Sequence, residues 1–251
     1  MSARATVLPF DPAGTDITGK TEPVGNGEFL MAVFGRPFNA CPVVVTFEGE
    51  QASAPARVWF GRPWQGTLDL SVSLPVNANN YFSLAVFMPD EAGQFRRQKA
   101  RFRALYAVML DDIGIKVAME RLTLPPSWLL ETSPGKHQAG YLLREPLADG
   151  GIADRLMNAI VAAGLCDPGA NGPRARLARL PVAVNGKHTP PFQCRMVVWS
   201  PELRYSVKDI VDGLQLEMLS AGRPARQGAR AAQQLPIDGN PVWIPRPEEN
   251  N

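Results

Sequence analysis

The chain is poor in the residues that most often announce a chemistry. Three cysteines, Cys41, Cys166 and Cys194, are spread over 251 residues. Their odd number and wide spacing exclude a CxxC zinc site and a disulfide framework, and they fit small buried thiols in a reducing compartment. Of the two histidines, His188 stands in a GKHTPP loop and reads as an ordinary surface residue. The formal net charge is only +2, which excludes a global basic field, so any nucleic-acid surface must be local. There is no run of 18 apolar residues and no charged-then-apolar leader, which predicts a soluble, cytoplasmic chain with no membrane partner. A GxxxxGK[ST] phrase is missing, so no helicase motor is encoded, and no internal repeat is visible. What is present is 45% hydrophobic residues, enough for a substantial core, and 24 prolines, which work against long helices over much of the chain.

Composition divides the chain into three stretches. Residues 1–27 are polar and rich in glycine and proline, and read as a loosely ordered arm. Short β-type runs follow at Phe29–Phe34, Val43–Phe47 and Arg57–Phe60, the last two placed as a hairpin with a long loop. Residues 1–75 are therefore an N-terminal extension, partly β. Residues 76–219 form the core. Tyr81–Met88 is a strand, and Ala104–Leu110 (ALYAVML), apolar at every position, is the central strand covered on both faces. Trp128–Thr132 and Gly140–Leu143 are two more strands joined by the SPGKHQ turn, and Gln193–Trp199 is another. Ile152–Ala163 has apolar residues at four-residue spacing and predicts an amphipathic helix, and Ser206 with Asp209 opens a second one. Residues 220–251 read as a flexible or extended tail.

Three phrases in the core carry chemistry. LDDIG places Asp111 and Asp112 at the end of the buried strand, where a carboxylate reaches a cleft from a rigid support. TSPGKHQ sets Ser133, Lys136, His137 and Gln138 around a Pro-Gly turn whose backbone N–H groups suit a phosphate. RARLARLPVAVNGK supplies Arg174, Arg176 and Arg179 as a triphosphate clamp, since a guanidinium binds phosphate oxygens bidentately at any working pH. Arg174 and Arg176, two apart on an extended segment, point one way, and Asn185 and Lys187 extend the same loop. Ahead of the acidic strand, FRRQKARFR gathers Arg96, Arg97, Lys99 and Arg101, which are expected to face a template backbone. Such a set suits nucleotidyl transfer, in which two Mg²⁺ ions held by carboxylates activate a 3′-hydroxyl and stabilise the leaving pyrophosphate.

In order and wording these phrases resemble the RepB-type primase domain of plasmids, phages and integrative elements, a branch of the archaeo-eukaryotic primase and primase-polymerase superfamily. The resemblance runs from NNYFSLAVF at about Asn80 through PPSWLLETSPGKHQAGYLL and RLPVAVNGK to about Leu216, and SPG and RLP are its most specific parts. It implies an α/β (α+β) fold, a two-layer core related to the RNA-recognition fold, here carrying a β-rich N-terminal extension. It also implies primer synthesis or extension on single-stranded DNA from nucleoside triphosphates, with Mg²⁺ or Mn²⁺, and allows a replicative helicase as a further partner.

The match is not complete. The family pattern separates the two acids by one residue. Matching the glycines gives Asp111 the first position and puts Ile113 at the second; matching Asp112 to the second puts Leu110 at the first. A bulge, or the start of the turn, at this point would bring both carboxylates to one metal pair. For the third metal ligand the sequence offers Asp167, with Glu131 as a substitute, while Pro173 holds the more directly matched position. The family histidine falls at Gln138, so either His137 has taken its role or Gln138 makes the hydrogen bond. The alternative implied is a replication module that keeps the fold and binds nucleic acid without catalysis.

Overall fold

A strand with both faces covered needs no alternation of apolar and polar residues, and the run from Phe102 to Ile113 shows none until its last residues. In the computed structural model, which describes residues 24–36, 39–167 and 172–218, this run is β4 (Phe102–Ile113), with Leu105, Ala107, Val108, Met109 and Leu110 all buried. It lies at the middle of a nine-stranded mixed sheet. Before it come β1 (Cys41–Phe47), β2 (Arg62–Pro63) and β3 (Asn79–Phe87). After it come β5 (Trp128–Ser133), β6 (Lys136–Leu147), β7 (Leu177–Arg179), β10 (Arg195–Trp199) and β11 (Arg204–Tyr205). The order is β10-β5-β6-β4-β3-β1-β2, antiparallel throughout, with β7 antiparallel to β3 and β11 parallel to β6. A separate two-stranded ribbon joins β8 (Val184–Asn185) to β9 (Phe192–Gln193).

One irregularity shapes the molecule. β3 and β4 pair only where Ala85–Phe87 meets Phe102–Leu105. Beyond that point they part, and β7 takes the place beside β3, with Arg179 opposite Tyr81 and Ala178 opposite Phe82. The sheet is thus opened between its two middle strands, and the end of β4 faces the end of β7 across the opening.

Among the described residues three α-helices accompany the sheet: α1 (Asn26–Phe34), α2 (Gly150–Ala162) and α3 (Val207–Gly213). The Asp149 carboxylate caps α2 by accepting from the Gly151 and Ile152 amides, and Ser206 with Asp209 forms a reciprocal capping box on α3. α1 corrects the expectation of a strand over Phe29–Phe34. Its buried residues Phe29, Leu30, Val33 and Phe34 recur at helical spacing, and Phe29 sits edge-on to Phe82 and Trp128 at 5.2 and 5.5 Å. A short apolar run does not distinguish a buried strand from a buried helix turn; here the aromatic pocket over the sheet decides for the helix.

The expected strand Arg57–Phe60 is likewise a 3₁₀ helix, Ala56–Phe60, and the strand that pairs with β1 is β2, through Val43 with Pro63 and Val44 with Arg62. From the stretch predicted as an extension, β1 belongs to the same sheet as β3 and β4, and α1 and β1 both belong to the same core. Of the arm, the structure describes residues 24–27: Asn26 is buried and exchanges two hydrogen bonds of 2.9 Å with the backbone of Val182. The rest of the arm and the tail over residues 220–251 lie outside the described residues.

Candidate functional site

β4 ends in a β-bulge. Its pairing with β6 slips between Leu110 and Ile113, and Asp112 takes a left-handed backbone conformation at φ 65°, which aspartate tolerates better than most residues. The two acids, which a regular strand sends to opposite faces, therefore meet on one side. Both reach the same cation: the Lys136 ammonium lies 3.9 Å from Asp111 Oδ1 and is in direct contact with Asp112 Oδ1. A second ammonium, Lys116, bridges Asp112 at 2.9 Å and Asp167 at 2.5 Å. Burial pushes the Asp112 carboxyl up, but the hydrogen bonds from Lys136 and Lys116 outweigh it and hold the group below the usual carboxylate range. Next to the bulge, Gly114 at φ 90° packs directly against the Gly135 carbonyl, with no space for a side chain. LDDIG and SPG are thereby one joined corner.

The SPG segment differs from the expected loop. Only Pro134 and Gly135 form the turn, and Lys136, His137 and Gln138 are already in β6. Strand alternation then separates them. Lys136 and Gln138 line a cleft of about 200 Å³ together with Asp111 and Arg179, and His137 points away from it, opposite Glu131 and Ile113 in register. The histidine expected as a catalytic group is thus outside the cleft. Gln138 occupies the position instead, accepting from the Arg179 amide at 3.0 Å and donating to Asp111 Oδ2 at 3.5 Å. The Gly135 amide, expected to face a phosphate, is taken by Glu131 Oε1 at 2.9 Å. Glu131 also pairs with Arg195. Burial opposes its ionisation, and those two partners still keep it below the usual range.

The three arginines separate into three roles. Pro173–Ala175 is a 3₁₀ turn rather than extended chain, so Arg174 turns to α2 and grips Asp154 bidentately at 3.2 and 2.8 Å. Arg176 turns the other way, with Nη2 3.8 Å from Asp111 Oδ2 and 3.7 Å from Cys166 Sγ. Arg179 is buried. It donates to Asn79 Oδ1 at 3.2 Å, the Val184 carbonyl at 2.7 Å and Asn185 Oδ1 at 2.9 Å, and its guanidinium lies over the Tyr81 ring at 4.6 Å. All these acceptors are neutral, and among the described residues no carboxylate forms an ion pair with it. Asn185 in turn donates to Ser133 Oγ at 2.8 Å, and Ser133 meets His188 Nε2 at 3.0 Å. Lys187, exposed, stands at the rim.

The FRRQKARFR run does not present one basic stripe. Arg97 is half-buried and its guanidinium donates to the carbonyls of Ala175 and Trp59; burial lowers its pKa. Arg96 pairs with Asp90 at 3.4 Å, and Arg101 donates to the Pro89 carbonyl at 3.4 Å. Lys99 is exposed. Sequence reasoning also missed part of the cleft: Gln51, Trp59, Tyr81 and Thr132 line it, and His188 reaches Ser133. Only the aromatic character of Trp59 and Tyr81 hinted at a wall. As for the third acid, Asp167 pairs with Lys116, which also holds Asp112, and among the described residues no three His, Cys, Asp or Glu side chains gather to hold a metal ion. No described helix is long and apolar enough to cross a membrane.

No protein-family model matches the sequence, and no curated protein sequence does. Solved structures do match in fold. The archaeo-eukaryotic primase domain of the cyanophage S-2L primase-polymerase superposes with a TM-score of 0.51 at 16% identity, over 74% of this chain and 94% of that one. The catalytic domain of primase RepB′ in complex with initiator DNA gives 0.50 at 16% identity, over 76% and 91%. A further structure of RepB′ gives 0.51 at 16% identity, over 76% of this chain and 60% of that one. The fold therefore belongs to a known architecture, in agreement with the resemblance carried by SPG and RLP: this chain has the fold of primase and primase-polymerase catalytic domains.

Proposed function

We propose that this domain is a nucleotidyl transferase of the primase or primase-polymerase kind, adding nucleoside triphosphates along a single-stranded DNA template. One observation carries the reading. Two carboxylates, Asp111 and Asp112, converge on Lys136, and the cleft that Lys136 and Asp111 line also holds a buried guanidinium, Arg179, which among the described residues is met only by neutral oxygens. A buried charge left so is expensive and is relieved by an anionic ligand. Lys136 and Lys187 line the same cleft against one acid, Asp111, so the cleft favours a polyanion such as a triphosphate. The neighbour bound to initiator DNA supports nucleic acid as the partner, with Lys99 and Arg96 the exposed cations of the loop before β4.

The donor set fits one divalent ion. Asp111 and Asp112 already converge on a single cationic point, the Lys136 ammonium, and Mg²⁺ commonly takes one or two carboxylates with substrate phosphates completing its shell. Bound there, Mg²⁺ or Mn²⁺ would polarise the phosphoryl oxygens and neutralise developing charge. The chain's own groups do the rest. Lys136, a third exposed on a flexible stem, exchanges carboxylate for phosphate. Arg179 and Arg176 hold the far oxygens, and Gln138 fixes Asp111 from the side. The experiment is primer synthesis and primer extension on single-stranded DNA with Mn²⁺ or Mg²⁺. Incorporation that disappears in chelator and in Asp111→Ala supports the activity; none across several templates and both ions overturns it.

A second reading has its own observation. Lys136 and Lys116 already neutralise Asp112, and among the described residues no third acid joins the pair, as suits a module that binds nucleotide and DNA without catalysis. Nucleotide that raises the melting temperature equally with and without divalent ion, in protein that never incorporates it, favours this reading.

A further inference from the structure

Three rings line up at one side of the cleft. Phe47 is stacked against Tyr81 at 5.9 Å, and Trp59 meets Phe47 edge-on at 4.9 Å and Tyr81 at 5.6 Å. Two of them keep no free ring face for a ligand. Phe47 is buried, and Tyr81 is buried with Phe47 on one side and the Arg179 guanidinium over its ring. Trp59 is half-buried and lines the cleft, so its ring keeps surface on the side that Phe47 and Tyr81 do not cover.

The backbone holds that ring in place. Trp59 sits in the 3₁₀ helix Ala56–Phe60, closed by Gly61 at φ 66°, which packs so tightly on Val43, Val44 and Val45 that no side chain fits. Arg97 then ties the helix to the arginine segment: one guanidinium donates to the Trp59 carbonyl at 3.1 Å and to the Ala175 carbonyl, next to Arg176. A flat aromatic surface is thus fixed relative to the phosphate-binding groups of the same cleft. Every nucleobase has a π-face, and stacking on tryptophan recognises it whatever the sequence.

We infer that Trp59 is the stacking platform for the base of the bound nucleoside triphosphate. The inference rests on the proposed function for the identity of the ligand. It assigns to the stretch before β3 the base half of a site whose phosphate half is built from β6 and β7.

The test is nucleotide binding by tryptophan fluorescence and by calorimetry, with ATP, dTTP, inorganic tripolyphosphate and a single-stranded oligonucleotide as the probes. Trp59→Ala should weaken ATP and dTTP about tenfold, equivalent to about 1.4 kcal/mol and within the range for base–aromatic stacking, and leave tripolyphosphate unchanged. Trp59→Phe should recover most of the loss, and Phe60→Ala, at a ring 70% exposed beside it and outside the cleft, should lose nothing. Equal affinity of wild type and Trp59→Ala for both nucleotides, or an equal loss for tripolyphosphate, overturns the platform. An effect confined to the oligonucleotide moves the base to the template and overturns it also. Protein that binds nucleotide through Trp59 but incorporates none contradicts the proposed activity and leaves the platform standing.

Discussion

The two ends of the cleft carry cations of the same charge and treat them in opposite ways. At the arginine end, Arg179 is buried, makes three hydrogen bonds and lies on an aromatic ring. At the acidic end, Lys136 and Lys116 reach carboxylates from the ends of flexible stems, with 34% and 61% of their side chains exposed. A cation that must always be present is built into the core; one that must leave is kept on a tether. Arginine suits the first task, being permanently charged and planar, and lysine the second. The contrast predicts that substitutions at one end act on structure and binding together, and those at the other on chemistry alone.

The largest effect is expected at the acids. Asp111→Ala or Asp112→Asn should lower template-dependent incorporation by at least about a hundredfold, the scale of losing transition-state charge stabilisation, with little change in melting temperature. A large loss of stability in Asp111→Ala would break the comparison, because it would make the acidic end structural too.

Arg179→Ala should come next and look different. Removing the guanidinium takes one donor each from Asn79, Val184 and Asn185; the Gly186 and Lys187 amides still reach the two asparagine oxygens, and a buried acceptor left unsatisfied costs about 1–3 kcal/mol. A net loss of about 3 kcal/mol by denaturant titration is expected, along with loss of nucleotide binding. Arg179→Lys should rescue neither, since an ammonium cannot reproduce the fork. Rescue by lysine would place Arg179 with the tethered cations.

At the acidic end the lysines should matter less and in the reverse direction. Lys136→Met removes a competitor for the carboxylates, so Mn²⁺ affinity in nucleotide-free protein, read by thermal shift, should rise by about fivefold at most, the equivalent of the roughly 1 kcal/mol that a half-exposed pair is worth. The pH dependence follows the same pair. Asp112 is depressed in the folded state, so its stabilisation is complete above the unfolded value of about 3.9 and is lost as pH falls through the folded value. Wild-type melting temperature should therefore decline more steeply below about pH 4 than that of Asp112→Asn.

The smallest effect separates the basic loop into its parts. Replacing Arg96 and Lys99 with alanine should leave stability unchanged and flatten the salt dependence of single-stranded DNA binding by about 1.4 units, at about 0.7 per phosphate. Arg97→Ala should instead lower stability, because Arg97 fastens Trp59 to Ala175. An unaltered slope in the double variant would leave DNA to some other surface.

What the sequence made legible was governed by how local each signal is. The central strand declared itself because ALYAVML is apolar throughout, α2 because its apolar residues recur at four-residue spacing, and α3 because Ser206 and Asp209 form a local capping box. α1 was misread because FLMAVF is too short to show a period. At the site, the phrases were visible but the directions were not. His137 and Gln138 exchange roles according to whether the chain is turn or strand at Lys136, and Arg174 and Arg176 part because Pro173 starts a 3₁₀ turn. The cleft walls come from Trp59, Tyr81 and Thr132, which no spacing rule connects. The bulge at Asp112 was anticipated only as one way to reconcile adjacent acids with a single site, and the conformation it takes depends on pairing with β6.

That conformation has an evolutionary consequence. At φ 65° the backbone at position 112 accepts asparagine or glycine nearly as well as aspartate, and each lies a single codon step away. The charge at this corner can therefore be erased without disturbing the chain that bears it. Silencing would yield not a misfolded casualty but a well-formed domain, with the rest of the cleft left as it was.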